Sequence, residues 1–160
     1  MRIIGTFFIL NFILSGCKTN GVDPAESKPE YYMEATIEGK VHLWKVDLGS
    51  ASNQVDRPNF KGYLSMGAYD KDQITNIGFV TSGGLDGTPK TLPITYGYYR
   101  KSRFEDYKAS INSTQSVSVG SCTVTKVDSY GLEGTFYFDA YNESNQKISL
   151  TNGKFKLRFF

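Results

Sequence analysis

The sequence predicts an all-β domain, and three observations support this prediction. Apolar and polar residues alternate with a period of two from Tyr31 onward, which is the period of a strand with one buried face. These segments are short and are separated by turn residues. Beyond the N-terminal apolar segment, no window of eleven or more residues carries an apolar stripe of helical period. We therefore expect one domain over residues 31–160, with roughly 8–10 short antiparallel strands.

The sequence is compatible with two arrangements of such strands, a β-sandwich and a β-barrel. One face of each predicted strand is apolar and the other is mixed polar and aromatic, as in two packed sheets or in one curled sheet. The short, glycine-interrupted strands favour an antiparallel β-sandwich. The alternative is an up-and-down β-barrel with a lipocalin-like closure.

The first half of the domain is predicted to form two hairpins and a glycine-rich loop. Its predicted strands are 33–38, 41–48, 62–69 and 74–80. A turn at Gly39-Lys40 joins the first pair of strands, and a polar turn at 70–73 joins the second. The glycine-rich segment 82–89 then forms a connecting loop.

The second half contains the remaining strands. They are predicted at 92–99, 106–111, 117–127, 135–141, 148–151 and 154–160, and the third of them is broken or bulged at Gly120. Asn152-Gly153 is the strongest hairpin-turn dipeptide in the chain, so we expect a turn between the last two strands. Phe159 and Phe160 indicate that the last strand packs on the domain, because exposed terminal aromatics would leave much apolar surface in water.

The N-terminal segment has the three parts of a secretory signal: the charge of Arg2, an apolar run over 3–14 and small residues before a cysteine. The run is too short for a transmembrane helix, which needs about 20 apolar residues. Its end, Leu14-Ser15-Gly16-Cys17, resembles the lipobox of bacterial lipoproteins, in which the cysteine is acylated and becomes the first residue. This resemblance implies a signal peptide over 1–16 and lipidation of Cys17. Residues 17–30, which are poor in large apolar side chains, are then a lipidated cysteine and a flexible tether.

Two hairpin motifs extend the resemblance into the domain. Ile37-x-Gly39-Lys40 followed by Trp44 opens the domain, and Gly134-Thr135-Phe136 with Thr151-Asn152-Gly153-x-Phe155 closes it. These motifs resemble the small lipoproteins of unknown function that are common in Bacteroidota. The resemblance implies a bacterial cell-envelope location, as an outer-membrane lipoprotein on the periplasmic leaflet or the cell surface. The motifs consist of turn and core residues, so they imply no catalytic residue.

Charge and cysteine content exclude several classes of function. Removal of residues 1–16 takes away Arg2 and no acidic residue, so the mature chain has 17 basic and 16 acidic residues. This balance offers no basic patch or stripe of the kind that binds nucleic acid. If Cys17 is acylated, Cys122 has no disulfide partner within the chain, and its setting in a strand predicts a small buried residue.

Residue types that carry catalysis are scarce. Any serine, cysteine or threonine nucleophile would need His42 as its base, because the chain has one histidine. Three or four zinc ligands are hard to assemble from one histidine and one cysteine, and Asp70-x-Asp72 lacks the glycine and glutamate of a calcium loop. The loop 82–89 lacks the lysine ending of a phosphate-binding loop. We therefore predict a non-enzymatic protein with no cofactor and no metal.

Aromatic residues are the remaining functional signal, with 11 tyrosines and 11 phenylalanines in the chain. Tyr96 and Tyr98 share one face of a predicted strand, and Arg100 continues that face. Flat rings beside hydrogen-bonding groups are typical of sugar-binding and protein-binding surfaces. We predict a surface of Trp44, Tyr96, Tyr98 and Arg100 that binds an envelope protein or a glycan. Cross-strand packing alone would also account for these tyrosines.

Two other functions are kept as alternatives. A barrel carrying an apolar small molecule would have an internal cavity lined by Leu64, Phe136 and Phe138. A hydrolase would use His42, or two carboxylates brought together by the fold. Adjacent carboxylates such as Glu105-Asp106 would face opposite ways on a strand, so that pair would not act on one bond.

Overall fold

The computed structural model describes residues 30–45, 63–70, 72, 74–110 and 118–159, and this part of the chain contains nine strands and no helix. The strands are β1 (Tyr32–Ile37), β2 (Lys40–Lys45), β3 (Ser65–Tyr69), β4 (Asn76–Thr81), β5 (Lys90–Ser102), β6 (Glu105–Ser110), β7 (Gly120–Val127), β8 (Gly131–Tyr141) and β9 (Lys147–Arg158). All ladders between these strands are antiparallel. The all-β prediction and the number of strands are confirmed. The predicted signal peptide, Cys17 and the tether up to residue 29 lie outside the described residues.

All nine strands belong to one sheet, in the order β2-β1-β9-β8-β6-β5-β4-β3, with β7 paired to both β5 and β8. Ile94 of β5 faces Thr81 of β4 on one side and Gly120 of β7 on the other. Because β6 also pairs with the edge of β5 opposite β4, β6 and β7 lie end to end between β5 and β8. The strands β5, β6, β8 and β7 thus form a closed cycle of pairings. Except for β2 with β3 and β6 with β7, successive strands pair, and β1 pairs with β9, which approaches the strand order of the up-and-down alternative.

The two strands at the ends of this order, β2 and β3, also approach each other. The indole Nε1 of Trp44 in β2 donates a hydrogen bond to Oγ1 of Thr75, just before β4, at 3.1 Å. The sheet therefore curls far enough to bring β2, at one end of the strand order, into contact with the β3 and β4 hairpin at the other end.

Alternating strand direction assigns the turns to two ends of the sheet. One end carries Glu30, where the described chain begins, the loop 82–89 and the turn 128–130 between β7 and β8. We call it the tether end. The opposite end, which we call the hairpin end, carries the turns at 38–39, 103–104 and 142–146.

The interior is packed with apolar and aromatic side chains from every strand. The largest fully buried ones are Trp44, Tyr99, Phe79, Phe138, Phe155, Met33, Ile37, Leu64, Ile77, Leu85, Ile94 and Leu132. Within β8 the buried positions keep strict alternation from Leu132 to Ala140, as expected for a strand with one face inward. This regular strand lies at the centre of the sheet.

Bulges switch the inward face of two long strands. In β9 the buried residues are Ile148 and Leu150, and then Gly153 and Phe155. The step from 150 to 153 needs one extra residue, and the register with β8 and with β1 shifts at this place. In β5 the same switch occurs at Thr95, opposite Val80 and Thr81 of β4.

The prediction of a turn at Asn152-Gly153 is therefore wrong. β9 runs without interruption through these residues, because β1 and β8 continue to pair on both of its edges. The positive φ of Asn152, 50°, serves the bulge and not a hairpin. The predicted turn at Gly39-Lys40 lies one residue earlier, where Glu38 and Gly39 have φ values of 50° and 77° that suit a type I′ turn.

Candidate binding surface

On the outer face of β3 to β6, the predicted surface residues Tyr96, Tyr98 and Arg100 lie beside residues of the neighbouring strands. Three rows of cross-strand neighbours run over these strands: Ser65, Val80, Tyr96 and Ser110; Gly67, Gly78, Tyr98 and Lys108; and Tyr69, Asn76, Arg100 and Asp106. The bulge at Thr95 turns the side chains of the second half of β5 outward at Tyr96, Tyr98 and Arg100, while Gly97 and Tyr99 face the interior. We call Tyr69, Tyr96, Tyr98, Arg100 and Asp106 the tyrosine platform.

The ring of Tyr98 lies against the sheet over two glycines. A Cβ atom added to Gly78 would lie 2.5 Å from the ring carbon Cε1, and one added to Gly67 would lie 3.1 Å from the phenol oxygen. The ring occupies the space that side chains at these two positions would fill. Glycine within a strand is the sequence signal for such a close approach. The sheet therefore covers one side of the Tyr98 side chain.

Tyr98 is fixed at its tip as well. Its phenol hydrogen-bonds to that of Tyr69 on β3. Burial, followed by the neighbouring Tyr69, raises the pKa of the Tyr98 phenol above its ordinary value, so it stays a neutral hydroxyl. Tyr96 lies beside it, with 6.3 Å between the ring centroids and 38% of the residue exposed.

Arg100 and Asp106 form a two-point ion pair at the edge of the rings. Nε of Arg100 donates to Oδ1 of Asp106 at 2.7 Å, and Nη2 donates to Oδ2 at 3.1 Å. This hydrogen bonding from Arg100 lowers the pKa of the Asp106 carboxyl, which stays ionised. Both side chains are about 40% exposed, so solvent screens the pair and it adds little to stability. Its main effect is to hold the guanidinium plane in one orientation.

Trp44 does not belong to this surface, and its prediction as a surface residue is wrong. It is 1% exposed and faces the interior, because it lies opposite Met33 on the inner face of the β1 and β2 hairpin. Its ring stacks on His42 with 5.9 Å between the centroids, because residues two apart in a strand share one face. Sequence reasoning missed Tyr69 and Asp106, which reach the platform only through cross-strand register.

The surroundings of His42 give a hydrolase no support. The ring contacts of His42 are with Trp44 and Tyr99, and neither residue orients a general base. Glu105 accepts a hydrogen bond from the Tyr107 hydroxyl, whereas Asp106 is engaged by Arg100 on the other face of β6. Among the described residues, no group of three or more histidines, cysteines or carboxylates could hold a metal ion.

Cys122 is a core residue. It is fully buried on the inner face of β7, and this burial raises the pKa of its thiol to about 12. Nucleophilic and metal-binding cysteines act as thiolates, which such a group does not supply near neutral pH.

The residues predicted to line a carrier cavity are packed against other side chains. The ring of Phe136 lies 4.9 Å from that of Phe79 and 6.4 Å from that of Phe155, between centroids. Phe138 stacks on Phe136 at 6.2 Å, and Leu64 is fully buried. Phenylalanine rings therefore fill this part of the interior, where a bound apolar molecule would have to lie.

Within the described ranges no helix is long and apolar enough to cross a membrane. No protein-family model, curated protein or solved structure matches this chain.

Proposed function

We propose that this protein is a non-enzymatic, lipid-anchored domain of the bacterial cell envelope that binds a glycan on the tyrosine platform. One observation carries the proposal: the Tyr98 ring packs over Gly67 and Gly78, beside Tyr96 and the paired Arg100 and Asp106. Sugar rings stack their C–H faces on flat aromatic rings, and their hydroxyls bond to oriented polar groups at the ring edge. The platform supplies both kinds of contact.

The size of the platform favours a glycan over a protein partner. Four strands and five residue positions span about 14 Å by about 14 Å, which is about 200 Å². A stable protein interface covers about 800 Å² on each partner. One to three sugar rings match the smaller area, and a protein partner becomes an outcome of the test.

Binding should depend on the platform tyrosines. We expect Tyr96→Ala and Tyr98→Ala each to weaken glycan binding at least about tenfold, since loss of one stacking contact corresponds to about 1.4 kcal/mol. The measurement is glycan-array binding of the full chain in detergent, followed by titration with the best glycan. Tyr137→Ala is the matched control, because Tyr137 is 59% exposed on β8 outside the platform, and it should bind as the parent does. Absence of glycan binding, or equal losses in Tyr96→Ala and Tyr137→Ala, would contradict the proposal.

The lipid anchor is the second part of the proposal, and the Leu14-Ser15-Gly16-Cys17 motif supports it. Two or three acyl chains, at about 0.8 kcal/mol per buried methylene, hold a protein on a bilayer essentially permanently. Mass spectrometry of the protein from its native envelope should show Cys17 as an acylated first residue. The Cys17→Ser variant should lose both the acyl mass and the membrane association. An intact Met1, or a processed chain with an unmodified Cys17, would overturn this part.

A further inference from the structure

We infer that the tether end of the sheet is a lipid-facing surface on which Tyr130 and Arg158 contact the headgroups of the bilayer. This inference rests on the proposed acyl anchor at Cys17. It assigns an orientation to the domain: the tether end lies on the membrane, and the hairpin end points away from it.

The chain enters the domain at the tether end. Glu30 and Tyr31 precede β1 at the tether end and line a groove there together with Tyr130 and Arg158. Twelve residues lie between Cys17 and Glu30, and the chain from one to the other reaches at most about 45 Å in any conformation. An inverted domain would need the chain to run back along β8, whose 11 residues span about 35 Å. Such a path would use most of the length that the chain between Cys17 and Glu30 can span.

The fold holds Tyr130 in an exposed position at the tether end. The Asp128 carboxylate accepts hydrogen bonds from the backbone N–H groups of Tyr130 and Gly131, at 2.8 and 2.9 Å. The carbonyl of Tyr130 accepts a third bond from the N–H of Phe159, at 2.9 Å. The turn is thus held from both sides, while Tyr130 itself is 70% exposed. Tyrosine is enriched at the headgroup level of membranes, because its ring is apolar and its hydroxyl is polar.

Charged side chains surround Tyr130 at the tether end. The groove, with a volume of about 400 Å³, includes Lys126, Lys156 and Arg158. Lys126 pairs with Asp128 at 3.2 Å, and both lysines contact the Glu133 carboxylate, at 3.5 and 3.8 Å. Arg158 takes part in none of the ion pairs within the described part of the chain. Its guanidinium matches a lipid phosphate, which accepts two parallel hydrogen bonds.

The hairpin end provides a matched comparison position. Phe104 lies at the tip of the turn between β5 and β6 and is 97% exposed. It is more apolar than Tyr130, so it would enter the bilayer first if exposure alone decided the orientation. With the tether end on the membrane, Tyr130 lies at the headgroups and Phe104 lies away from them.

The test places a fluorescent probe at each end of the full acylated protein in turn. Tyr130→Cys and Phe104→Cys each introduce one reactive thiol, because Cys122 is fully buried and an acylated Cys17 is blocked. The labelled proteins are reconstituted in phosphatidylethanolamine and phosphatidylglycerol vesicles that contain a lipid with a headgroup quencher. We expect quenching at position 130 to exceed that at position 104 at least threefold, and Arg158→Gln to reduce the quenching at position 130.

Each outcome is decisive. Equal quenching at the two positions, or stronger quenching at position 104, on vesicles that hold acylated protein would overturn the inference and leave the proposed anchor intact. A protein whose Cys17 carries no acyl chain by mass spectrometry and that stays off the vesicles would remove the anchor, and the inferred orientation with it.

Discussion

Deletion of Tyr137 is expected to abolish cooperative folding, although this residue is 59% exposed. The buried positions of β8 alternate strictly from Leu132 to Ala140, so the deletion makes Phe136 and Phe138 adjacent residues that face opposite sides of the sheet. The one-residue slip turns either Leu132 and Phe136 or Phe138 and Ala140 toward solvent and puts outward-facing side chains in their place. Exposure of each buried leucine or phenylalanine costs about 1.5–3 kcal/mol, and burial of polar groups adds to this, against a total stability of about 5–15 kcal/mol for a typical domain.

The bulge in β9 offers the matched control for the Tyr137 deletion. Asn152 is the extra residue of this bulge, and its removal brings Leu150 and Phe155 to an even separation, so both still face the interior. The Asn152 deletion should therefore destabilise the protein far less than the Tyr137 deletion. The φ of Asn152 is 50°, so Asn152→Gly should leave the free energy of unfolding within about 0.5 kcal/mol, whereas the β-branched Asn152→Val should cost about 1–2 kcal/mol. Urea unfolding, followed by the fluorescence of the single buried Trp44, measures all four variants, and a parental unfolding midpoint for the Tyr137 deletion would contradict the alternation described for β8.

Phe136→Ala is expected to reduce the free energy of unfolding by about 3–5 kcal/mol, the second-largest effect. The ring is 3% exposed and contacts Phe79, Phe138 and Phe155 at the centre of the sheet. It also covers the bulge, since a Cβ atom added to Gly153 would lie 2.7 Å from ring carbons of Phe136. Truncation therefore leaves a cavity in the core and removes the contact that holds the bulge.

The neighbouring residue supplies the control. Tyr137 follows Phe136 in β8 but points outward and is 59% exposed. Tyr137→Ala should change the free energy of unfolding by less than about 1 kcal/mol. Equal destabilisation by the two substitutions would mean that the β8 side chains do not divide into buried and exposed sets as the structure describes.

The sequence by itself determined the features that depend on local periodicity. Alternation of apolar and polar residues predicts the all-β fold, the inward face of β1 at Met33 and Ile37, and the burial of Cys122. It also predicts that Tyr96, Tyr98 and Arg100 share one face, because strand side chains repeat every two residues. These predictions need no knowledge of neighbouring strands.

Only the tertiary structure decided which strands pair, and in which register. Asn152-Gly153 has the composition of a turn, yet pairing with β1 on one edge and β8 on the other keeps β9 extended through it. Tyr69 joins the platform from β3, and Asp106 joins it from β6. Trp44 faces inward from β2, opposite Met33. Such contacts connect residues distant in sequence, and their energies come from cross-strand packing that no local pattern encodes.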